Sequence, residues 1–241
     1  MDLEVSVVVP VCNEAGNVDV LAREIAGALQ DRPFEMIFVD DGSTDDTAAV
    51  LRRARDAGLS SLRILRHSFR SGQSAAVATG VRAARAPWIA TLDGDGQNDP
   101  ADIPKLLEAR TLAANTGVLL FAGNRTTRRD TGFRRLQSRV ANGVRGAMLG
   151  DGTPDTGCGI KLFERATFLE LPRFDHMHRF LPALFIRQGS KVVSVPVNHR
   201  PRASGTSKYG MLDRLWVGIV DLFGVLWLRR RFRAGLTARE E

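Results

Sequence analysis

Within the first hundred residues, short β-branched apolar runs alternate with segments of helical period, and three of those runs end in acidic or amide residues. The strand-like runs are 5–9, 36–39, 62–65 and 88–92. Between them, 18–29, 44–57 and 74–84 carry apolar residues at helical spacing, with Ser43 or Thr44 available to cap the second helix. Such alternation predicts an α/β fold: a mostly parallel sheet with helices on both faces. In open sheets of that kind ligands sit outside the carboxyl ends of the strands. Asn13-Glu14, Asp40-Asp41 and Asp93-Gly94-Asp95 follow three of the runs, so they are expected to share one rim.

The chain has 241 residues and is 44% hydrophobic, enough to bury the core of one large domain and too apolar for disorder. Its two cysteines, Cys12 and Cys158, make no disulfide scaffold, which points to a reducing compartment. The start, Met1-Asp2-Leu3-Glu4-Val5, carries no basic leader or long apolar run, so no secretory signal is expected. A net charge of +7 predicts anionic partners: phosphates, nucleic acid or an acidic membrane leaflet.

Asp93-Gly94-Asp95-Gly96-Gln97 places two carboxylates at i and i+2 with small residues between them. The pattern suits a hard divalent cation, Mg²⁺ or Mn²⁺, with Gln97 offering a further oxygen, and it equally suits a turn that needs Asp and Gly. Asp40-Asp41-Gly42-Ser43-Thr44-Asp45 reads as a nucleoside-holding loop or as a strand-end turn with a helix cap. Arg200 to Lys208 combines two guanidinium groups, an ammonium and hydroxyls on a Gly-containing loop, which reads as a phosphate clamp or a solvated basic loop. Gly72, Ala76 and Gly80 lie four apart and predict close packing of a helix on the sheet. The four histidines and two cysteines lack zinc-ligand spacing, and neither Gly-x-Gly-x-x-Gly nor Walker A occurs. With one Tyr and no aromatic-interleaved basic stripe, a nucleic-acid partner is not expected.

The run 212–228 reads as an amphipathic helix. Leu212, Leu215, Trp216, Ile219, Phe223, Leu226 and Trp227 fall on one side, and Asp213, Arg214, Gly218, Asp221 and Gly224 on the other. Its charges argue against a bilayer span, and Arg229-Arg230-Arg231 and Arg233 follow at once. The two readings are an interfacial helix on an anionic membrane surface or a helix packed on the core.

In order, Val9-Pro10-Val11-Cys12-Asn13-Glu14, Val39-Asp40-Asp41-Gly42-Ser43, Asp93-Gly94-Asp95-Gly96-Gln97, Gly123-Asn124-Arg125, Asp155-Thr156-Gly157-Cys158-Gly159 and Arg202 to Lys208 together resemble family 2 glycosyltransferases of the GT-A fold. Within that family the chain looks most like the dolichyl- or polyprenyl-phosphate sugar synthases. The resemblance implies a Rossmann-like GT-A domain over 1–210, with a nucleotide-sugar half to about 115, an acceptor half after it, and a basic amphipathic tail over 211–241. It implies that Pro10, Cys12, Glu14, Val39 and Asp41 hold the nucleoside, although Cys12 stands where many relatives carry an aromatic residue. It also implies that Asp93, Gly94 and Asp95 hold the diphosphate and metal with Gln97, that Arg202 and Lys208 close on the donor phosphates, and that Arg125, Arg139 and Arg179 meet the acceptor phosphate. The implied reaction is inverting transfer from a GDP- or UDP-sugar to a polyprenyl phosphate, dependent on Mg²⁺ or Mn²⁺, by a hexosyltransferase of the dolichyl-phosphate mannosyltransferase kind. Its implied place is peripheral, on the cytoplasmic face of the cell membrane. The alternative is a family 2 enzyme acting on a sugar hydroxyl, for which Asp155 is the candidate general base.

Overall fold

The computed structural model describes residues 2–125, 143, 145, 146, 148–201 and 211–232, with backbone only over 211–217. The first half follows the predicted alternation. Strands β1 (Val5–Val11), β2 (Phe34–Asp40), β3 (Leu62–Arg66) and β4 (Trp88–Thr91) are linked through helices α1 (Val18–Ala28), α2 (Thr47–Asp56) and α3 (Gln73–Ala83). All four strands are parallel to their neighbours in the order β3-β2-β1-β4.

Alternation along the strands splits the core in two. Val5, Val7, Val9, Met36 and Phe38 pack with Leu21 and Ile25 of α1 on one face. Val8, Ile37 and Val39 pack with Ala76, Val77 and Val81 of α3 on the other. Because both faces are covered, the strands read as continuous apolar runs rather than alternating ones. The close approach of α3 rests on Gly80, where a Cβ would lie 2.4 Å from Val8 Cγ1. Gly72 belongs to the turn instead, with φ 93° just before the helix.

Helix α2 corrects the predicted start and cap. It begins at Thr47 because Ser43 and Thr44 are engaged across the rim: Ser43 Oγ accepts the Asn13 N–H at 2.9 Å, and the Thr44 N–H donates to Asn13 Oδ1 at 2.8 Å.

The second half continues through α4 (Ile103–Leu112), β5 (Val118–Arg125), β6 (Lys161–Glu164), α5 (Arg165–Leu169), α6 (Leu181–Arg187), β7 (Lys191–Val197) and α7 (Met211–Arg231). The seven-stranded order is β3-β2-β1-β4-β6-β5-β7, with β6 antiparallel to both neighbours. From β1 the chain builds outward through β2 and β3, then returns to lay β4 on the other side of β1. That reversal opens a crevice at the carboxyl ends of β1 and β4.

Helix α7 divides its apolar residues between two faces. Val225 is buried in the α3-side core, with Leu222 and Leu226 packed beside it. Val220, Phe223 and Trp227 are 55%, 60% and 59% exposed. The expected single apolar face is therefore corrected to a core-facing edge and an outward apolar stripe. No helix among the described residues is long and apolar enough to cross a membrane.

Candidate active site

The strand ends meet as a rim. At the end of β1, Asn13 adopts φ 57°, a left-handed conformation Asn tolerates, and its side-chain oxygen ties β1 to the loop after β2. The Glu14 N–H donates to Thr47 Oγ1 at 2.9 Å, and Glu14 Oε2 accepts from Asn17 Nδ2 at 2.7 Å. Cys12 is half-buried beside them. The two adjacent aspartates do different work. Asp40 is wholly buried, accepts the Ser43 N–H at 2.9 Å and pairs with Arg66 Nε at 3.2 Å. Asp41 gathers the loop after β3: Oδ1 lies 2.7 Å from His67 Nδ1 and accepts the Ser71 N–H at 2.8 Å, while Oδ2 accepts the Gly72 N–H at 2.8 Å. Val39 is wholly buried, with its side chain in the α3-side core.

That loop leads directly to the acidic motif. Gln73, the first residue of α3, donates Nε2–H to Asp93 Oδ1 at 2.8 Å. The Asp93 N–H donates to Asn98 Oδ1 at 2.9 Å, and the Gln97 N–H donates to Asp95 Oδ1 at 3.1 Å. Gly94 is required by close approach, since a Cβ there would lie 2.6 Å from Val11 Cγ1. Burial and then the neighbouring Asp95 charge push the Asp93 carboxyl up, against Lys161, the Gln73 bond and Arg125. A carboxyl whose proton affinity is raised by burial and by a neighbouring carboxylate is what a divalent cation relieves. Among the described residues no group of three or more His, Cys, Asp or Glu could hold a metal by itself. The site thus fits an oxygen-preferring ion that takes two carboxylates from the protein and its other ligands from a diphosphate and water.

Two further residues meet the acidic motif here, Lys161 with no sequence motif of its own and Gly159 from within the Asp155 to Gly159 motif. Lys161, at the start of β6, is buried, donates Nζ–H to the Cys158 carbonyl, and is held below the usual ammonium range by burial against the pull of Cys158, Asp93 and Asp155. A lone lysine opening an apolar strand was the visible hint. Gly159 faces Asp93 directly, and its carbonyl accepts from Thr91 Oγ1 at 2.8 Å.

Arg125 reaches the same site but is already bound. Its Nε and one terminal nitrogen donate to the two Asp155 oxygens at 2.6 and 2.8 Å. Burial acts to lower the guanidinium, yet the bond and charge of Asp155 leave it raised. Asp155, the candidate base for a hydroxyl acceptor, thus has both oxygens held by a cation. Arg139, Arg202 and Lys208 lie outside the described residues.

Between the acidic motif and α7 lies a cavity of about 640 Å³. Its lining mixes polar side chains, Gln73, Asp93, Lys161, Arg145, His178 and Arg179, with apolar ones, Val77, Leu92, Phe180, Leu181, Ile219 and Leu222. Pro10 and the 156–159 turn line it too. Arg145 is ion-paired with buried Asp151 at 2.9 Å.

Residues 6–171 match the family model described as Glycosyl transferase family 2. A dodecaprenyl-phosphate galacturonate synthase of Rhizobium johnstonii is 37% identical over 236 residues, which span 95% of this chain and 68% of that protein. An undecaprenyl-phosphate 4-deoxy-4-formamido-L-arabinose transferase of Edwardsiella ictaluri is 31% identical over 86% of this chain, which spans only 63% of that protein. Among solved structures, glucosyl-3-phosphoglycerate synthase of Mycobacterium tuberculosis, in complex with Mn²⁺, UDP-glucose and glycerol 3-phosphate, superposes with a TM-score of 0.71 at 18% identity, over 94% of this chain and 80% of that one.

Proposed function

The chain belongs to glycosyl transferase family 2, and from that premise we propose that it moves a sugar from a GDP- or UDP-linked donor to a polyprenyl phosphate, with inversion and with Mg²⁺ or Mn²⁺. The observation that carries this reading is the mixed lining of the cavity: Asp93, Arg145, Lys161 and Arg179 share it with Phe180, Leu181, Ile219 and Leu222. A sugar acceptor would leave the apolar residues without a partner. A lipid phosphate matches both kinds of lining, and the two relatives above are named for polyprenyl-phosphate chemistry.

The rim residues Pro10, Cys12, Glu14, Val39 and Asp41 hold the nucleoside, and Asp93, Gly94 and Asp95 the diphosphate, with Arg202 and Lys208 closing from the 202–208 segment. When bound, the divalent cation neutralises charge growing on the leaving nucleoside diphosphate. Asp93 and Asp95, with Gln97 adding an oxygen, are the residues that hold it. Gln73 orients Asp93 through its amide. Lys161 sets a buried amine against the Asp93 carboxyl, and Arg125, Arg139 and Arg179 draw the acceptor phosphate in. An ionised phosphate oxygen needs no strong general base to attack an anomeric carbon. The enzyme's task is then alignment of two anions in a shielded site. This accounts for a basic chain with Asp155 committed to Arg125.

The exposed Val220, Phe223 and Trp227 stripe, followed by Arg229, Arg230 and Arg231, supports a peripheral seat on an anionic membrane surface. The decisive experiment offers a panel of nucleotide-sugars with a short polyprenyl phosphate or an oligosaccharide acceptor, with and without Mn²⁺, and reads product mass. Transfer to the oligosaccharide alone would sink the lipid-phosphate reading.

A further inference from the structure

Within the one-turn helix Met177–Arg179 of the cavity wall, His178 has no role in the steps above. This segment is fixed from two sides. His176 Nδ1 lies 3.2 Å from Asp221 of α7, and His178 Nδ1 lies 2.7 Å from Ser74 Oγ of α3. The same Ser74 oxygen accepts the His178 backbone N–H at 3.3 Å. Ser74 is buried, and its hydroxyl and His178 Nδ1 share one hydrogen bond. When the hydroxyl donates it, the ring's own proton sits on Nε2. Burial, then Lys161, Arg179 and His176, bring the imidazole down to about 3, so the ring is neutral at physiological pH.

His178 lines the cavity together with Asp93, Lys161 and Arg179, and Phe180 and Leu181, next in the chain, line it as well. A lipid phosphate joins a charged group to an apolar chain, and neutral N–H donors beside a guanidinium bind a phosphate oxygen directionally.

We propose that His178 donates its Nε2–H to the phosphate of the lipid acceptor, forming with Arg179 a seat for that group, and that Ser74 is a positioning residue that fixes the ring's tautomer. This rests on the lipid-phosphate reading above. The test is calorimetric binding of farnesyl phosphate, with farnesol, inorganic phosphate and a nucleoside diphosphate as separate arms, to the wild type, His178→Phe, His178→Gln and Ser74→Ala. His178→Phe should bind farnesyl phosphate at least tenfold more weakly, and farnesol and the nucleoside diphosphate within twofold of the wild type. His178→Gln, which keeps an N–H donor, should recover most of the loss. In turnover, KM for the acceptor should rise while KM for the donor holds. ¹⁵N spectra should place the His178 proton on Nε2 in the wild type and show a mixture in Ser74→Ala. Wild-type farnesyl phosphate binding that His178→Phe leaves unchanged, or loses together with the nucleoside diphosphate, overturns this inference alone. So does a proton found on Nδ1. A wild type that binds inorganic phosphate as tightly as farnesyl phosphate, or neither, overturns the lipid-phosphate reading and this seat with it.

Discussion

Replacing Gly159 with alanine should cripple turnover while the protein stays folded. A Cβ there would lie 2.2 Å from Asp93 Oδ2, 2.3 Å from Asp93 Cγ and 2.6 Å from Asn98 Oδ1, where ordinary contact begins at 3.4 Å. Something must yield by about 1 Å, and the backbone is poorly placed to do so. The Gly159 carbonyl is held by Thr91, and the Ile160 carbonyl by the Gly123 N–H at 3.0 Å. The Asp93 carboxylate can yield by giving up its 2.8 Å bond from Gln73, and Asn98 by releasing the Asp93 N–H. Either route displaces the group proposed to face the diphosphate. A misplacement of about 1 Å costs on the order of 10²-fold in rate. Overpacking costs about 1–3 kcal/mol, which leaves an ordinary domain of about 5–15 kcal/mol folded. The assays are product formation, Mn²⁺ titration by electron paramagnetic resonance, and thermal melting. The expected result is a roughly hundredfold lower kcat/KM, weaker Mn²⁺ binding, and a Tm lower by about 2–10 °C. Adding Asp93→Ala should recover part of that Tm, because the clash partner is gone. Turnover and Mn²⁺ affinity within threefold of the wild type would refute the reasoning.

The remaining predictions concern the metal, the buried pair, pH and the membrane. Chelation should abolish transfer and Mn²⁺ or Mg²⁺ restore it, while Asp95→Ala should lose about 10²-fold or more even at saturating metal; full activity would remove the metal assignment. Asp155→Asn should cost about 3 kcal/mol in denaturant unfolding by leaving the Arg125 charge unpaired, with the loss smaller in Arg125→Met/Asp155→Asn. The folded state keeps His178 neutral down to about 3, whereas the unfolded chain takes the proton at the ordinary 6.5. Its contribution to stability is therefore complete above that ordinary value and is lost on acidification, by up to about 1.4 kcal/mol per pH unit. Urea titrations between pH 7 and 4 should show this slope lessened in His178→Gln. Phe223→Ser/Trp227→Ser should release the protein from anionic vesicles in flotation while leaving transfer to a detergent-dispersed acceptor near normal; unchanged flotation would remove α7 from the membrane reading.

The sequence alone determined the layered half of this protein. Runs such as Val5 to Val9, broken only by Ser6, read as strands buried on both faces of a parallel sheet, and the carboxylates after them were expected at its carboxyl edge. The adjacency of Asp41, Asp93 and Asp95 was legible for that reason, because period and strand polarity are local. Lys161, His178 and Gly159 were not, since each takes its meaning from a partner far along the chain: Asp93 for Gly159 and Lys161, Ser74 for His178. Insertion of β6 antiparallel between β4 and β5 brought the first two to the acidic motif, and no periodicity announces such a pairing. The same holds for α7. Its composition announced an amphipathic helix, but which apolar residues face inward depended on the surface laid down by α3 and α6. Packing, rather than pattern, set Val225 and Leu222 against the core and left Phe223 and Trp227 outside, because a helix with apolar residues on two sides turns inward whichever edge the existing core can accept.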